Sequence, residues 1–139
     1  MKTNNLLLIS IFLLLLTGFT GCTSDDPSPS PTDPRVAMVG TWSVYESGAK
    51  GSYEATIALD PSSSTGILIY NFANSGSTSN PAQADVSSTN IILNPDQTIG
   101  DGWTVSGGGS LVSSTKINWS YSLFDGATNY NLTAVYTKK

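Results

Sequence analysis

Apolar and polar positions take turns along most of residues 36–139. Tyr53, Ala55, Ile57 and Leu59 alternate with Glu54, Thr56, Ala58 and Asp60. Ile117, Trp119, Tyr121 and Leu123 alternate with Lys116, Asn118, Ser120 and Ser122. Tyr130, Leu132, Ala134 and Tyr136 alternate with Asn131, Thr133, Val135 and Thr137, Val135 being the apolar exception on the polar side. A period of two sends successive side chains to opposite faces, so each run predicts a half-buried strand with one wet face. No stretch of this region carries a convincing 3.6-residue period. The pattern predicts eight strands, over residues 40–47, 52–59, 66–73, 82–87, 90–99, 103–112, 115–123 and 128–137. Asp125-Gly126 between the last two is a hairpin signal. Asp60-Pro61 through Gly66 reads as a turn, and residues 73–81 as the longest and loosest loop. Asn94-Pro95-Asp96 predicts a bend or break in the fifth strand, because proline has no N–H to give to a ladder.

The expected fold class is all-β. Short connections make strands that follow one another in sequence neighbours in space. Eight short strands in up-and-down order most simply close into a small antiparallel barrel, which leaves no edge exposed. A two-sheet β-sandwich is the alternative.

Residues 1–21 have a different character. Lys2 precedes Leu6 to Leu16, in which Ser10 is the one polar residue. A helix of eleven residues reaches about 16 Å, well short of the roughly 30 Å hydrocarbon layer. The length fits a signal-peptide core rather than a membrane span. Thr17, Gly18, Thr20 and Gly21 then lead to Cys22, the chain's one cysteine. Phe19-Thr20-Gly21-Cys22 resembles the lipobox of bacterial lipoproteins, with Phe19 where leucine is commoner. The resemblance implies that residues 1–21 are removed and that Cys22 is acylated. Such lipoproteins carry three acyl chains, and two already anchor a protein stably. Asp25-Asp26, just after the cysteine, is similar to the surface-export signal of Bacteroidota lipoproteins. That implies an outer-membrane protein facing the cell surface; a periplasm-facing domain is the alternative.

Residues 22–35 contain Pro27, Pro29, Pro31 and Pro34 among Ser and Thr. Such a segment cannot build a core. Polyproline-like extension at about 3.1 Å per residue gives twelve residues a reach of roughly 37 Å, a spacer between lipid and domain. The barrel domain is expected over residues 36–139.

Composition narrows the chemistry. The 139 residues include no His and carry a formal charge of −4. Without His there is no Ser-His-Asp triad and no His general base. Zinc sites of the His/Cys type and internal disulfides are likewise excluded. An acidic chain with a single Arg has no electrostatic footprint for nucleic acid. Asp96 and Asp101 lack EF-hand spacing, and Gly107-Gly108-Gly109 lacks the Lys-Ser/Thr of a phosphate loop. In a strand, that triplet reads as a bulge or a tight barrel corner. The two glutamates, Glu46 and Glu54, give no basis for a glycosidase pair in so small a barrel. No cofactor, no metal and no catalytic residue is expected.

Val39-Gly40-Thr41-Trp42, opening the first strand after Asp33-Pro34-Arg35, resembles the Gly-x-Trp entry of lipocalin-like (calycin) proteins. The closing Thr133-Ala134-Val135-Tyr136-Thr137-Lys138-Lys139 adds similarity to small lipocalin-like lipoproteins of Bacteroidota. In larger lipocalins an Arg near the last strand packs on this Trp. No Arg follows Arg35 here, so Arg35 itself is the candidate to cover Trp42 by a cation–π contact.

Trp42 is expected to plug one end of the barrel, with ligand contact as the alternative. Tyr53, Tyr70, Phe72, Trp119 and Tyr121 are the candidate ligand-lining residues. If they fill the interior there is no cavity, since an eight-stranded barrel is just wide enough to be filled or to hold one small ligand. Trp103, after Gly100-Asp101-Gly102, is either core or a surface contact for a sugar or protein. Two functions follow: a barrel that binds a small apolar or amphipathic molecule, or a solid module that docks to an envelope protein or glycan. Neither is enzymatic. An alkyne fatty acid fed to expressing cells should label the wild-type protein and leave Cys22→Ala unlabelled; label persisting on the alanine variant would refute the anchor.

Overall fold

The computed structural model describes residues 33–139 apart from 49, 50, 77 and 101. Residues 1–32, with Cys22 and the expected signal peptide, lie outside the described residues, as does Asp101. Nine strands follow in order: β1 (Gly40–Glu46), β2 (Ser52–Leu59), β3 (Gly66–Tyr70), β4 (Ala82–Ser87), β5 (Asn90–Leu93), β6 (Gln97–Ile99), β7 (Trp103–Ser113), β8 (Lys116–Phe124) and β9 (Asn129–Lys138). All pairings are antiparallel. The hydrogen-bonded order is β5-β4-β3-β2-β1-β9-β8-β7-β6, and an added β5–β7 pairing joins the ends. The result is a closed eight-stranded barrel with β6 as a short extra strand on β7. The expected barrel is the fold, and the sandwich is set aside.

The fifth predicted strand is split as its proline demands. β5 stops at Leu93 and β6 starts at Gln97, with Asp96 at a φ of 54° between them. Beside the gap the Gln83 carbonyl of β4 still accepts from the Asn94 N–H at 3.0 Å. The Gln97 amide completes the pairing, accepting from the Gln83 N–H at 2.7 Å and donating to the Gln83 carbonyl at 2.7 Å. One side chain thus imitates a peptide unit where β5 has stopped.

Closure depends on β7. Ile91 and Ile92 of β5 pair with Gly109 and Gly108. A Cβ on Gly108 would lie 2.4 Å from the Ile91 carbonyl oxygen. Gly107 takes a φ of +125°, and a Cβ there would lie 2.6 Å from the Ser120 carbonyl oxygen. The glycine triplet is the tight corner that lets the sheet roll up.

The alternation sorts side chains as expected. Val44, Ala55, Ile57, Ile67, Ile69, Ala84, Val105, Ile117, Trp119, Tyr121 and Tyr136 are all buried in one core. The third strand is shorter than its expected 66–73. Asn71, Ala73 and Asn74 have φ near +53 to +56°, so the chain leaves the sheet after Tyr70 and folds back. Asn71 holds the turn, donating to the Glu54 carbonyl at 2.7 Å and accepting from the Gly76 N–H at 2.8 Å. Asparagine tolerates the left-handed region; Ala73 is strained there.

The chain enters at the end where β1 begins, and that end is shut. Met38 and Trp42 are fully buried, and the indole N–H of Trp42 donates to the Met38 carbonyl at 2.8 Å. The cation over Trp42 is Lys138 of β9, its ammonium 5.3 Å from the ring centroid. The Arg35 expectation is corrected. Its guanidinium turns to Asp33 at 2.7 Å and to the carbonyls of Ser63 at 2.7 Å and Gly66 at 3.2 Å. A planar fork fits that carboxylate and those carbonyls better than a single ring face. Asp33 also caps the 3₁₀ turn Pro34–Ala37. Arg35 therefore fastens the end of the expected tether to the turn before β3. Replacing Trp42 by Ala should cost about 3–5 kcal/mol in denaturant unfolding, as for a buried large-to-small change; a loss under about 1 kcal/mol would show that the ring is not the plug.

Candidate functional site

At the opposite end the barrel is open. An open cavity of about 510 Å³ lies among Glu46, Tyr53, Trp103, Leu123, Tyr130 and Leu132, with Ser47, Gly48, Ala73, Asn74 and Asp125 completing its wall. β1 and β2 bring Glu46 and Tyr53 from one side. β7, β8 and β9 bring Trp103, Leu123, Tyr130 and Leu132 from the other. The turn after β3 supplies Ala73 and Asn74.

Glu46 is the centre of the polar contacts. Tyr53 donates its hydroxyl to Glu46 Oε2 at 2.9 Å, and Tyr121 donates to the same oxygen. The two phenols come from β2 and β8, so one carboxylate ties facing walls of the barrel together. Burial pushes both phenols far above the ordinary tyrosine range; Tyr121 and Glu46 add to the shift at Tyr53, and Glu46 adds to it at Tyr121. Both therefore stay protonated and serve as donors. Glu46 Oε1 takes no hydrogen bond from a described residue.

A second carboxylate stands on the rim. Asp125 accepts from the N–H groups of Ala127 at 2.9 Å and Thr128 at 2.7 Å, and from the Tyr130 hydroxyl at 3.1 Å. The backbone N–H groups hold its carboxyl below the usual range. This is the Asp-Gly hairpin turn read from sequence, now with a place at the mouth.

Below the mouth lies a buried aromatic stack. Phe72, carried in by the turn after β3, packs its ring 5.2 Å from Trp119 and 4.8 Å from Tyr121, centroid to centroid. Trp119 in turn lies 5.6 Å from Tyr136. The indole N–H of Trp119 and the hydroxyl of Tyr136 are buried with no hydrogen-bond partner among the described residues. Burial also raises the Tyr136 hydroxyl far above its ordinary range, with Tyr53 and Glu46 contributing.

Of the five candidate lining residues, Tyr53 lines the cavity. Tyr121 reaches it through Glu46. Phe72 and Trp119 are buried in the aromatic stack and are not among the residues that line this cavity. Tyr70 is corrected. It follows Ile69 on β3 and pairs with exposed Thr56, which puts it on the outer face. Trp103 is half-buried, packed against the core and lining the mouth. Glu46 was passed over as a site residue although its signal was present. It follows Trp42 and Val44 at the same two-residue spacing, which aims it inward.

No family model and no curated protein matches the sequence. Solved structures do match in fold. A redesigned β-barrel, b11L5F_LGL, is 17% identical with a TM-score of 0.52, over 80% of this chain and 99% of that one. EF1p2_mFAP2b bound to DFHBI is 18% identical with a TM-score of 0.51, over 79% of this chain and 100% of that one. At such identities the likeness is one of architecture: this chain is a small β-barrel like those two.

An unpartnered buried hydroxyl costs about 1–3 kcal/mol. Tyr136→Phe should therefore leave the fold equally stable or raise its unfolding free energy by about 1 kcal/mol; a loss above about 1 kcal/mol would mean that the hydroxyl has a partner holding the barrel together.

Proposed function

We propose that this protein is a non-enzymatic binding barrel, anchored through acylated Cys22 to the outer membrane and facing the cell surface, that takes a small apolar or amphipathic molecule in its mouth. The cavity carries this reading. Its roughly 510 Å³ falls within the 300–1,000 Å³ usual for small-ligand sites, and it joins aromatic and aliphatic walls to a few fixed polar atoms. The solved barrel bound to DFHBI supports it at the level of architecture.

The fold also orients the site. The described chain enters at the end sealed by Met38 and Trp42, and the cavity lies at the other end. A lipid on Cys22 would hold the sealed end toward the membrane and leave the mouth facing out. A sequence without His, and phenols held protonated, favour binding over catalysis.

The docking alternative has its own feature. An open groove of about 450 Å³ runs over the outer face at Gly108-Gly109, beside exposed Ile92. A module that docks to an envelope protein or glycan would use such a surface and need no ligand.

Titration with N-phenyl-1-naphthylamine, a neutral apolar fluorophore, separates the two. Saturable one-to-one binding is expected, weakened about tenfold or more by Trp103→Ala, as for loss of an aromatic wall. Binding indifferent to Trp103→Ala would remove the fluorophore from the mouth, and absence of saturable binding by it and by charged aromatic amphiphiles alike would defeat the mouth as a site.

A further inference from the structure

The described lining of the mouth has a sign. Of the described residues that line it, Glu46 and Asp125 are the charged ones, and both are acidic. Neither forms a salt bridge with a described cation; the ion pairs present join Arg35 to Asp33 and Lys139 to Glu54, away from the cavity. Both carboxylates are held in place. Two phenols fix Glu46 Oε2, and two backbone N–H groups with the Tyr130 hydroxyl fix Asp125. Fixing leaves the Glu46 carboxylate, which lines the cavity, with no hydrogen bond from a described residue to its Oε1. Around it stand the rings of Tyr53, Tyr130 and Trp103, whose faces carry negative quadrupole density that favours a cation.

We propose that the ligand of this site is an organic cation: a protonated amine on an aromatic or aliphatic body, its ammonium donating to Glu46 Oε1 and its body lying against Trp103, Leu123 and Leu132. This rests on the mouth being a binding site and adds the chemical class. An anionic amphiphile such as a fatty acid would set its carboxylate against two fixed carboxylates with no described cation to meet it. A neutral apolar molecule would bury the walls and leave the acceptor unused. An ammonium uses both, and a charge-assisted hydrogen bond in a partly desolvated site is the stronger kind.

Matched probes test the sign without knowledge of the natural ligand. Tryptamine and indole-3-propionate share an indole and a two-carbon arm and differ in the charge at its end. Calorimetric titration of the wild-type protein at neutral pH should find tryptamine bound about tenfold or more tightly than the propionate. Glu46→Gln keeps the shape and can still accept from both tyrosines; it should reduce that preference to about threefold or less. Glu54→Gln removes the same charge from the outer face and should leave the preference intact.

Equal binding of the two indoles, or tighter binding of the propionate, overturns the proposal, and this comparison needs no variant to fold. A preference that survives Glu46→Gln, or falls equally with Glu54→Gln, also overturns it, since overall acidity would then be the cause. If N-phenyl-1-naphthylamine binds at the mouth while the indoles show no charge preference, the cation assignment fails and the binding function stands. If neither the fluorophore nor either indole binds, both fail.

Discussion

Everything in this barrel hangs on the contact between β5 and β7. The remaining strands form one continuous antiparallel sheet, and without that pairing the sheet would have two open edges. The contact needs backbone against backbone at Ile91, where any side chain on Gly108 would strike the carbonyl oxygen. Gly109 meets a second demand, because a Cβ there would lie 2.8 Å from the Trp119 ring. The same three glycines thus close the sheet and make room inside it for its largest central side chain. What they give up is area: glycine buries no side chain and loses the most backbone freedom on folding. The dense aromatic packing of Phe72, Trp119, Tyr121 and Tyr136 offsets that loss from within.

The two ends of the closed barrel are built for different tasks. One is sealed by Met38 and Trp42 and clamped from outside by Lys138 and Arg35. The other stays open because the residues facing it are polar at their tips. The hydroxyls of Tyr53 and Tyr121 reach Glu46, although the Tyr121 ring is itself part of the core. A carboxylate shared between two phenols cannot sink into an apolar interior without leaving lone pairs unmet. The polar cluster therefore sets the depth of the cavity, and the Phe72 stack packs beneath that cluster.

Much of this was legible in the chain. Period-two alternation located the strands, and Asn94-Pro95-Asp96 marked the break between β5 and β6. Trp42 could be placed at one end from its position at the start of β1. The site was harder to read. Period two puts Tyr70 and Phe72 on the same face of a third strand that continues to residue 73, yet Tyr70 faces out and Phe72 is buried. Three left-handed residues end it at Tyr70 instead, and only Asn71 and Asn74 hinted at them. Glu46 sat on the inward side of its strand in plain sight. A lone carboxylate does not name its partners, and Tyr121 lies 75 residues away. The cation over Trp42 shows the same limit. Sequence supplied a need for positive charge, and only the register of β1 with β9, pairing Trp42 with Lys138, decided which residue met it.

The core also holds two groups that packing alone does not explain. Trp119 and Tyr136 each bury a polar atom without a partner among the described residues, at about 1–3 kcal/mol apiece where Phe would be free of that cost. A small barrel has little stability to give away, since a chain of this size buries a modest share of its surface. Sequences generally agree with their folds at every level, and departures gather where something other than folding is being served. Here the departure adjoins the mouth. Tyr136 pairs with Val44, the inward position before Glu46 on β1, which places it one layer beneath the polar cluster. The polar character of the mouth thus continues one layer into the core, and the boundary between binding surface and hydrophobic interior lies below the cavity rather than at its wall.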